Sequence, residues 1–251
     1  MTAQDIAFAA PQPFGIGRIL ATSFGAFGRN LGPFLIVTFL ISVPFIALAT
    51  WNDYQNMERE LGAARSGYQF GLSFVQMITS ALVQAALTYG TLEDLRGHRP
   101  TVGACFENGW RWGTRLFRGA FIYSIIILLA TLALVVPAII LYLMWWVYVP
   151  AIVVEGLGVS DSFSRSRALT AGRRWRILGL GLVTLLILAV VAAVVMLPIE
   201  FLAGDFPAQI GFTLVAVLFG AFSSVVTAVG YYTLLVEKEG VDIEAIAQVF
   251  G

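Results

Sequence analysis

The chain is poor in the residues from which sites in soluble proteins are usually built. Its 251 residues include one cysteine, Cys105, and one histidine, His98. A single cysteine excludes an intrachain disulfide. A structural zinc site takes four Cys or His ligands, more than these two supply, and no carboxylate-rich cluster stands in for them. No metal and no cofactor is therefore expected. Charge is scarce too. Asp, Glu, Lys and Arg make up 12% of the chain, against about 25% in an ordinary globular domain. The 15 basic and 15 acidic residues cancel, so net charge selects no partner.

Catalytic motifs are missing as well. The chain has no nucleophile elbow, phosphate loop or zinc signature. The nearest reactive material is His98, Cys105 and the acids Glu93, Asp94 and Glu107. The stretch EDLRGHRP reads as a tight inter-helix turn with Gly97 and Pro100 as breakers. The expectation is a protein that is not an enzyme. The N-terminal MTAQDIAFAAPQPFG has an aspartate, two prolines and no basic residue, unlike a secretory signal. The first long apolar run, from Leu31, is expected to be retained as an anchor.

What the chain does have is apolar sequence: 59% hydrophobic residues and a mean hydropathy of +0.85. A soluble protein of this length cannot hide that much apolar surface, so its solvent is partly lipid. About twenty apolar residues cross a bilayer core. Residues 31–51, 71–92, 177–202 and 208–236 qualify. The stretch 119–154 holds 36 residues without Asp, Glu, Lys or Arg. As one helix it would run about 54 Å, far beyond a core of about 30 Å. Two spans, 119–136 and 138–154, fit better, with Pro137 at the turn because proline suits a helix start.

Charge tests this count. Six spans with both termini cytoplasmic put 13 of the 15 Lys and Arg inside and leave only Arg59 and Arg65 outside. Five spans would expose the arginine group after Glu155 and violate the positive-inside rule. The fold class is thus all-α, a polytopic membrane protein forming one integral domain over 1–251. A similar segment precedes each odd-numbered span: IGRILATSFGAFGRNLGPFLI, VGACFENGWRWGTRLFRGAFI and VSDSFSRSRALTAGRRWRILGL. Each opens on a turn, continues with aromatic and basic residues, and runs into apolar sequence. Cys105-Phe106 matches Ser162-Phe163. This predicts three transmembrane hairpins, each led by a short interfacial helix.

The spacing of Pro150, Glu155, Gly158, Ser162, Ser166, Leu169, Gly172 and Trp175 resembles a pattern in bacterial six-helix membrane proteins. That group is similar to the membrane domain attached to some glycerophosphoryl diester phosphodiesterases. The likeness covers residues 85–180 and elsewhere only the span arrangement. Ala138 departs from it, where the family often carries glycine. The resemblance implies the fold and a bacterial inner membrane. It does not imply phosphodiesterase activity, which belongs to a separate soluble domain.

Several residues then stand out. Glu155 ends the fourth span and is either an ion-pair partner for a loop arginine or a solvated helix end. Arg165, Arg167, Arg173, Arg174 and Arg176, with Arg111, Arg115 and Arg118 in the preceding loop, orient the chain and are candidates for anionic lipid head groups. A patch at the membrane surface is not a nucleic-acid site. Gln76, Ser80 and Gln84 share one face of the second span, read as interhelical hydrogen bonding with a polar path as the alternative. Ala216, Gly220, Ser224 and Ala228 form a small-residue stripe that suits close helix packing, within the chain or between subunits. Tyr142, Trp145, Trp146 and Tyr148 sit mid-span, away from the usual aromatic belts; they pack, or grip a lipid, quinone or pigment. After Gly240, Val241, Ile243, Ile246 and Val249 mark the apolar face of a short terminal helix.

No charge lies well inside a span, whereas transporters usually place ionisable groups or broken helices at the midplane. The leading expectation is a non-catalytic structural or accessory component. It packs with another integral membrane protein or a second copy of itself and binds membrane lipid at its basic cytoplasmic face. The alternative is a transporter or carrier of a neutral or lipid-like molecule.

Overall fold

A computed structural model describes residues 14–56, 62–203 and 205–240. Among these residues the regular structure is α-helical throughout, in ten helices: α1 Ile16–Arg29, α2 Leu31–Asn56, α3 Gly62–Leu95, α4 Val102–Arg111, α5 Gly113–Ala133, α6 Val135–Met144, α7 Tyr148–Glu155, α8 Val159–Thr170, α9 Arg174–Ala203 and α10 Asp205–Glu239. Six stretches are long and apolar enough to cross a membrane: Leu31–Leu48, Gly71–Leu95, Gly113–Leu132, Val135–Glu155, Arg174–Pro198 and Gly211–Glu239. The chain is a multi-pass membrane protein. The apolar face expected after Gly240 lies outside the described residues, as do Arg59 and the side chains of Arg65, Glu200 and Asp205.

The third and fourth spans differ from their expected bounds. The single residue that breaks the helix is Leu134, extended at φ −168° and ψ 142°. Pro137 sits inside the first turn of α6, where its missing N–H leaves no bond unmade. The third span accordingly covers Gly113–Leu132 and the fourth Val135–Glu155, instead of 119–136 and 138–154. The fourth span is itself interrupted: α6 stops at Met144 and α7 starts at Tyr148. Neither glycine nor proline occupies 145–147. Gly156, left-handed at φ 64°, ends α7, a conformation that costs glycine nothing.

Burial separates the six spans into two classes. Within the even-numbered spans 39, 44 and 50% of the apolar window is buried inside the protein; within the odd-numbered ones, 22, 17 and 11%. The second, fourth and sixth spans are therefore the centre and the others the periphery. α3 and α10 pack most extensively against each other. At 34 and 35 residues each is about 51–53 Å long, well beyond a hydrocarbon core of about 30 Å.

Each short helix turns back along a central span. α4 lies on the end of α3, where Gly90 and Gly109 permit contact: a β-carbon at Gly90 would sit 2.9 Å from the Cys105 sulfur, and one at Gly109 2.9 Å from Ala86. Thr101 caps α4 by accepting the Ala104 N–H at 3.3 Å. α8 lies on α7, with the Phe163 ring 5.1 Å from that of Tyr148. α1 lies on α10, with Phe24 and Phe27 against Phe222 at 4.5 and 5.7 Å. Its amphipathic sequence buries Ile19, Leu20, Ser23 and Ala26, and full burial of Ile19 or Leu20 contributes about 1.5–3 kcal/mol. Each short helix thus packs on the central span just before it in sequence, and α1 packs on the last, which closes a ring.

Candidate functional site

The interruption of the fourth span opens the molecule. Beyond it α7 packs on α3, α5, α8 and α10, whereas α6 packs chiefly on α5, α8 and α9. Between α6 and the α3–α10 pair lies a cavity of about 550 Å³, lined also by α2 and α5. That volume falls within the range of roughly 300–1,000 Å³ typical of small-molecule pockets.

A side chain on another helix stabilises the interruption. The Ser166 hydroxyl on α8 donates to the Met144 carbonyl at 2.9 Å and accepts the Val147 N–H at 3.3 Å. Thr170 donates to the same carbonyl at 3.2 Å. Backbone groups freed inside a membrane protein are costly unless rebonded, and these two hydroxyls rebond them. Ser162, Ser166, Leu169 and Thr170 form the buried face of α8.

The cavity wall carries no charge: its described lining residues include no Asp, Glu, Lys, Arg or His. One side is aromatic, formed by Tyr123, Tyr142, Trp145, Trp146 and Tyr148. Tyr123 stacks on Tyr148 at 5.4 Å and meets Trp145 at 6.2 Å, while Phe163 backs Trp145 at 4.8 Å. The rest of the wall mixes uncharged polar groups with apolar ones such as Phe45, Ile46, Met77 and Phe212. Gln76, Ser80 and Gln84 of α3 lie on it. Gln76 reaches Ser80 at 3.4 Å within one helix. The Gln84 amide makes no hydrogen bond among the described residues. These three side chains face the cavity and make no bond to another described helix.

Ala216, Gly220 and Ser224 of the small-residue stripe line the same cavity, while Ala228 is fully buried. A β-carbon at Gly220 would meet nothing within 4 Å. Its missing side chain therefore enlarges the cavity and does not admit a neighbouring helix. Close approach on α10 occurs instead at Gly230, which lies against the Trp146 ring. The sequence reading did not single out Gly230. A glycine in the same helix ten residues after Gly220 was the available signal, but nothing local says which glycine meets a ring.

The charged residues gather elsewhere. Glu155 accepts Arg165 Nε through both oxygens at 2.8 Å and the Tyr231 hydroxyl at 2.5 Å. The outer edge of Arg165 binds Glu239, with Nη2 to Oε2 at 2.8 Å. Hydrogen bonding to Glu239 and then Glu155 holds the Arg165 guanidinium above its ordinary value, against partial burial. Arg173 binds Glu237 at 2.9 Å, Arg176 donates to the Phe14 carbonyl at 3.0 Å, and Arg115 donates to the Gly156 carbonyl while lying over Trp112. Arg174 is partly buried, with its Nε unbonded. Arg111, Arg118 and Arg167 are exposed and form no ion pair among the described residues. Much of the arginine group therefore fastens α8 and α9 to the ends of α7 and α10. No group of His, Cys, Asp and Glu among the described residues is arranged to hold a metal.

The domain of unknown function DUF7847 matches residues 60–237. That is well over half of the chain, and the chain belongs to this family. Its description names no activity and no phosphodiesterase. No curated protein and no solved structure matches the chain.

Proposed function

We propose that this chain is a non-catalytic integral membrane protein that carries or holds a neutral, lipid-like molecule in the cavity between α2, α3, α5, α6 and α10. The observation that supports the reading is a half-open space of about 550 Å³ among the membrane-spanning helices, lined by aromatic rings, aliphatic side chains and uncharged polar groups. A charged solute would be stripped of water there with no counter-charge to meet it, which costs several kcal/mol. The interruption in the fourth span adds a feature associated with substrate sites in transporters. This reading brings the carrier alternative ahead of the purely accessory one.

Three units, each a short interfacial helix and a hairpin, fit the ring of short helices. The likeness of the Pro150–Trp175 pattern to phosphodiesterase-attached membrane domains enters only as a proposal of shared architecture. The arginine asymmetry supports a bacterial inner membrane with both termini cytoplasmic. Lipid contact at the basic face is a second reading. Arg111, Arg118 and Arg167 are exposed without a carboxylate partner, and Trp110 and Trp175 are 68 and 84% exposed. A stable complex with another membrane protein or a second copy is the accessory form of that reading.

The test is native mass spectrometry of the protein extracted gently from its membrane, beside Gly220→Leu. Leucine at 220 fills space without touching a neighbour at its β-carbon, and leucine favours helix over glycine. A neutral adduct on the wild type that is lost in the variant, at unchanged thermal midpoint, is the expected result. No adduct, or one indifferent to Gly220→Leu, would overturn the cavity reading. A defined extra protein mass would bring the accessory reading forward.

A further inference from the structure

We infer that the cavity just described and a second one beside it form a single two-compartment site for a neutral amphiphile that carries free hydroxyl groups. Its hydroxyl-bearing head sits among Gln76, Ser80 and Gln84, and its hydrocarbon chain occupies the second compartment. This rests on the reading that the first cavity binds a neutral lipid-like molecule, and it names the chemical class.

The second compartment, about 430 Å³, lies between α6, α9 and α10. Tyr142, Trp146, Ser223 and Thr227 line both spaces and are the partition between them. Beyond that partition the second space is apolar, with Leu143, Ile177, Leu182, Leu185 and Phe219 on its wall. Its one further hydroxyl, Thr184, is spent on the Leu180 carbonyl at 2.8 Å. Beyond the partition this space adds a single polar side chain, whose oxygen can only accept, and it suits a hydrocarbon chain. The two volumes differ in chemistry as the two ends of an amphiphile do.

Hydrogen-bond accounting names the head. Thr38, Thr79, Ser80, Ser224 and Thr227 each donate their hydroxyl proton to a carbonyl one turn back in their own helix, at 2.7–2.9 Å. Toward a ligand in the cavity these oxygens can only accept. Gln84 adds an amide with both an acceptor and donors unspent. The hydroxyls of Tyr123, Tyr142 and Tyr148 and the indoles of Trp145 and Trp146 line the same cavity and supply donors, so the ligand that meets both sets is one whose polar groups donate as well as accept. Alcohols and glycerides donate through hydroxyls; a quinone or a simple ester presents acceptors only. Phosphate-bearing lipids are disfavoured, because no described lining residue is cationic. The class is therefore an uncharged lipid with free hydroxyls, such as a monoacylglycerol or a long-chain alcohol.

The test titrates the full-length detergent-solubilised protein with 1-palmitoylglycerol and with methyl palmitate, followed by native mass spectrometry. The two probes share a chain and differ in hydroxyl donors. The glyceride should bind about tenfold more tightly, the worth of one or two hydrogen bonds. Gln84→Leu should bring that preference close to unity. Gly181→Leu, whose β-carbon enters open space on the second wall, should weaken both probes alike and favour shorter chains. Equal binding of the two probes would overturn the hydroxyl assignment and leave the cavity reading standing. Gly181→Leu without effect on either probe would overturn the two-compartment site. Saturable binding of neither probe would overturn this inference, and absence of any neutral adduct from the native membrane would remove the cavity reading with it.

Discussion

Cys105 is buried where α4 meets α3, with the Gly90 backbone close beside its sulfur. Burial, and then the nearby charge of Glu93, push its thiol from 9.0 up to about 11. The thiolate is the reactive form, so a two-unit rise removes about 99% of it at a given pH. Maleimide labelling of the native protein at pH 7.5 should therefore be at least about 100-fold slower than labelling of the unfolded chain. Linkage gives the accompanying sign. Below pH 9 both states keep the proton and the full stability is present; above it the unfolded state ionises first, and stability falls until about pH 11. A thermal midpoint that stays flat from pH 8 to 10.5, with Cys105→Ser as control, would contradict this. Gly230 permits a second single-residue test. Its α-carbon lies against the Trp146 ring, so Gly230→Ala forces the ring to move and should cost about 1–3 kcal/mol by overpacking, read as a lower midpoint of thermal unfolding. The same substitution at Gly220 meets open space and should be neutral or stabilising. Small residues on α10 were legible as a stripe. Whether a missing side chain faces a ring or a void depends on another helix, and no local pattern records that.

Helices and their ends were legible where the cause was local. Gly97 adopts positive φ, and it stands where the sequence read as a breaker. The face Ser162, Ser166, Leu169 was visible as a spaced pattern and is the buried side of α8. The interruption at 145–147 was not legible, because its stabilising hydrogen bonds come from Ser166 and Thr170, some twenty residues away. Two serines on one helix separate this effect from general burial. Ser162 and Ser166 are equally buried, but Ser162 donates to Val159 in its own helix. Ser166→Ala leaves a carbonyl with one partner fewer and an N–H with none, a loss of about 1–3 kcal/mol. Ser162→Ala should cost less than half of that. Thermal unfolding of the two variants decides the matter, and equal costs would mean that the hydroxyl is not what holds the interruption.

At the scale of the molecule, the pattern of aromatic and basic residues before each odd span coincides in each case with a helix, α1, α4 or α8. It did not indicate that they close a ring. Closure depends on α1 lying along α10, as in the Phe14 N–H bonded to Glu237 across 223 positions at 3.3 Å. Periodicity and charge asymmetry report local environment and sidedness, and neither reaches that far. The cavity escaped the sequence for the same reason: α3 and α10 supply most of its wall, but it is completed by residues of α2, α5, α6 and the 145–148 stretch that are far away in the chain. The family match begins at residue 60, which leaves out α1 and all of α2. Yet Phe34 and Val37 of α2 are fully buried, Thr38 lines the cavity, and α1 covers Phe222. Arg29 and Asn30 also hold Asp94 at the end of α3, each at 2.6 Å. A chain that starts at residue 60 would expose the α10 face that α1 covers, open the cavity on its α2 side and leave Asp94 without these partners. Its cost should exceed that of any single substitution above, since burial of several large side chains at about 1.5–3 kcal/mol each is lost together. Residues 60–251, purified in the same detergent, should run as aggregate in size-exclusion chromatography, or unfold well below the full chain and bind no neutral lipid. A monodisperse fragment with an unchanged midpoint would mean that the matched segment is self-sufficient and that α1 and α2 are peripheral to the ring.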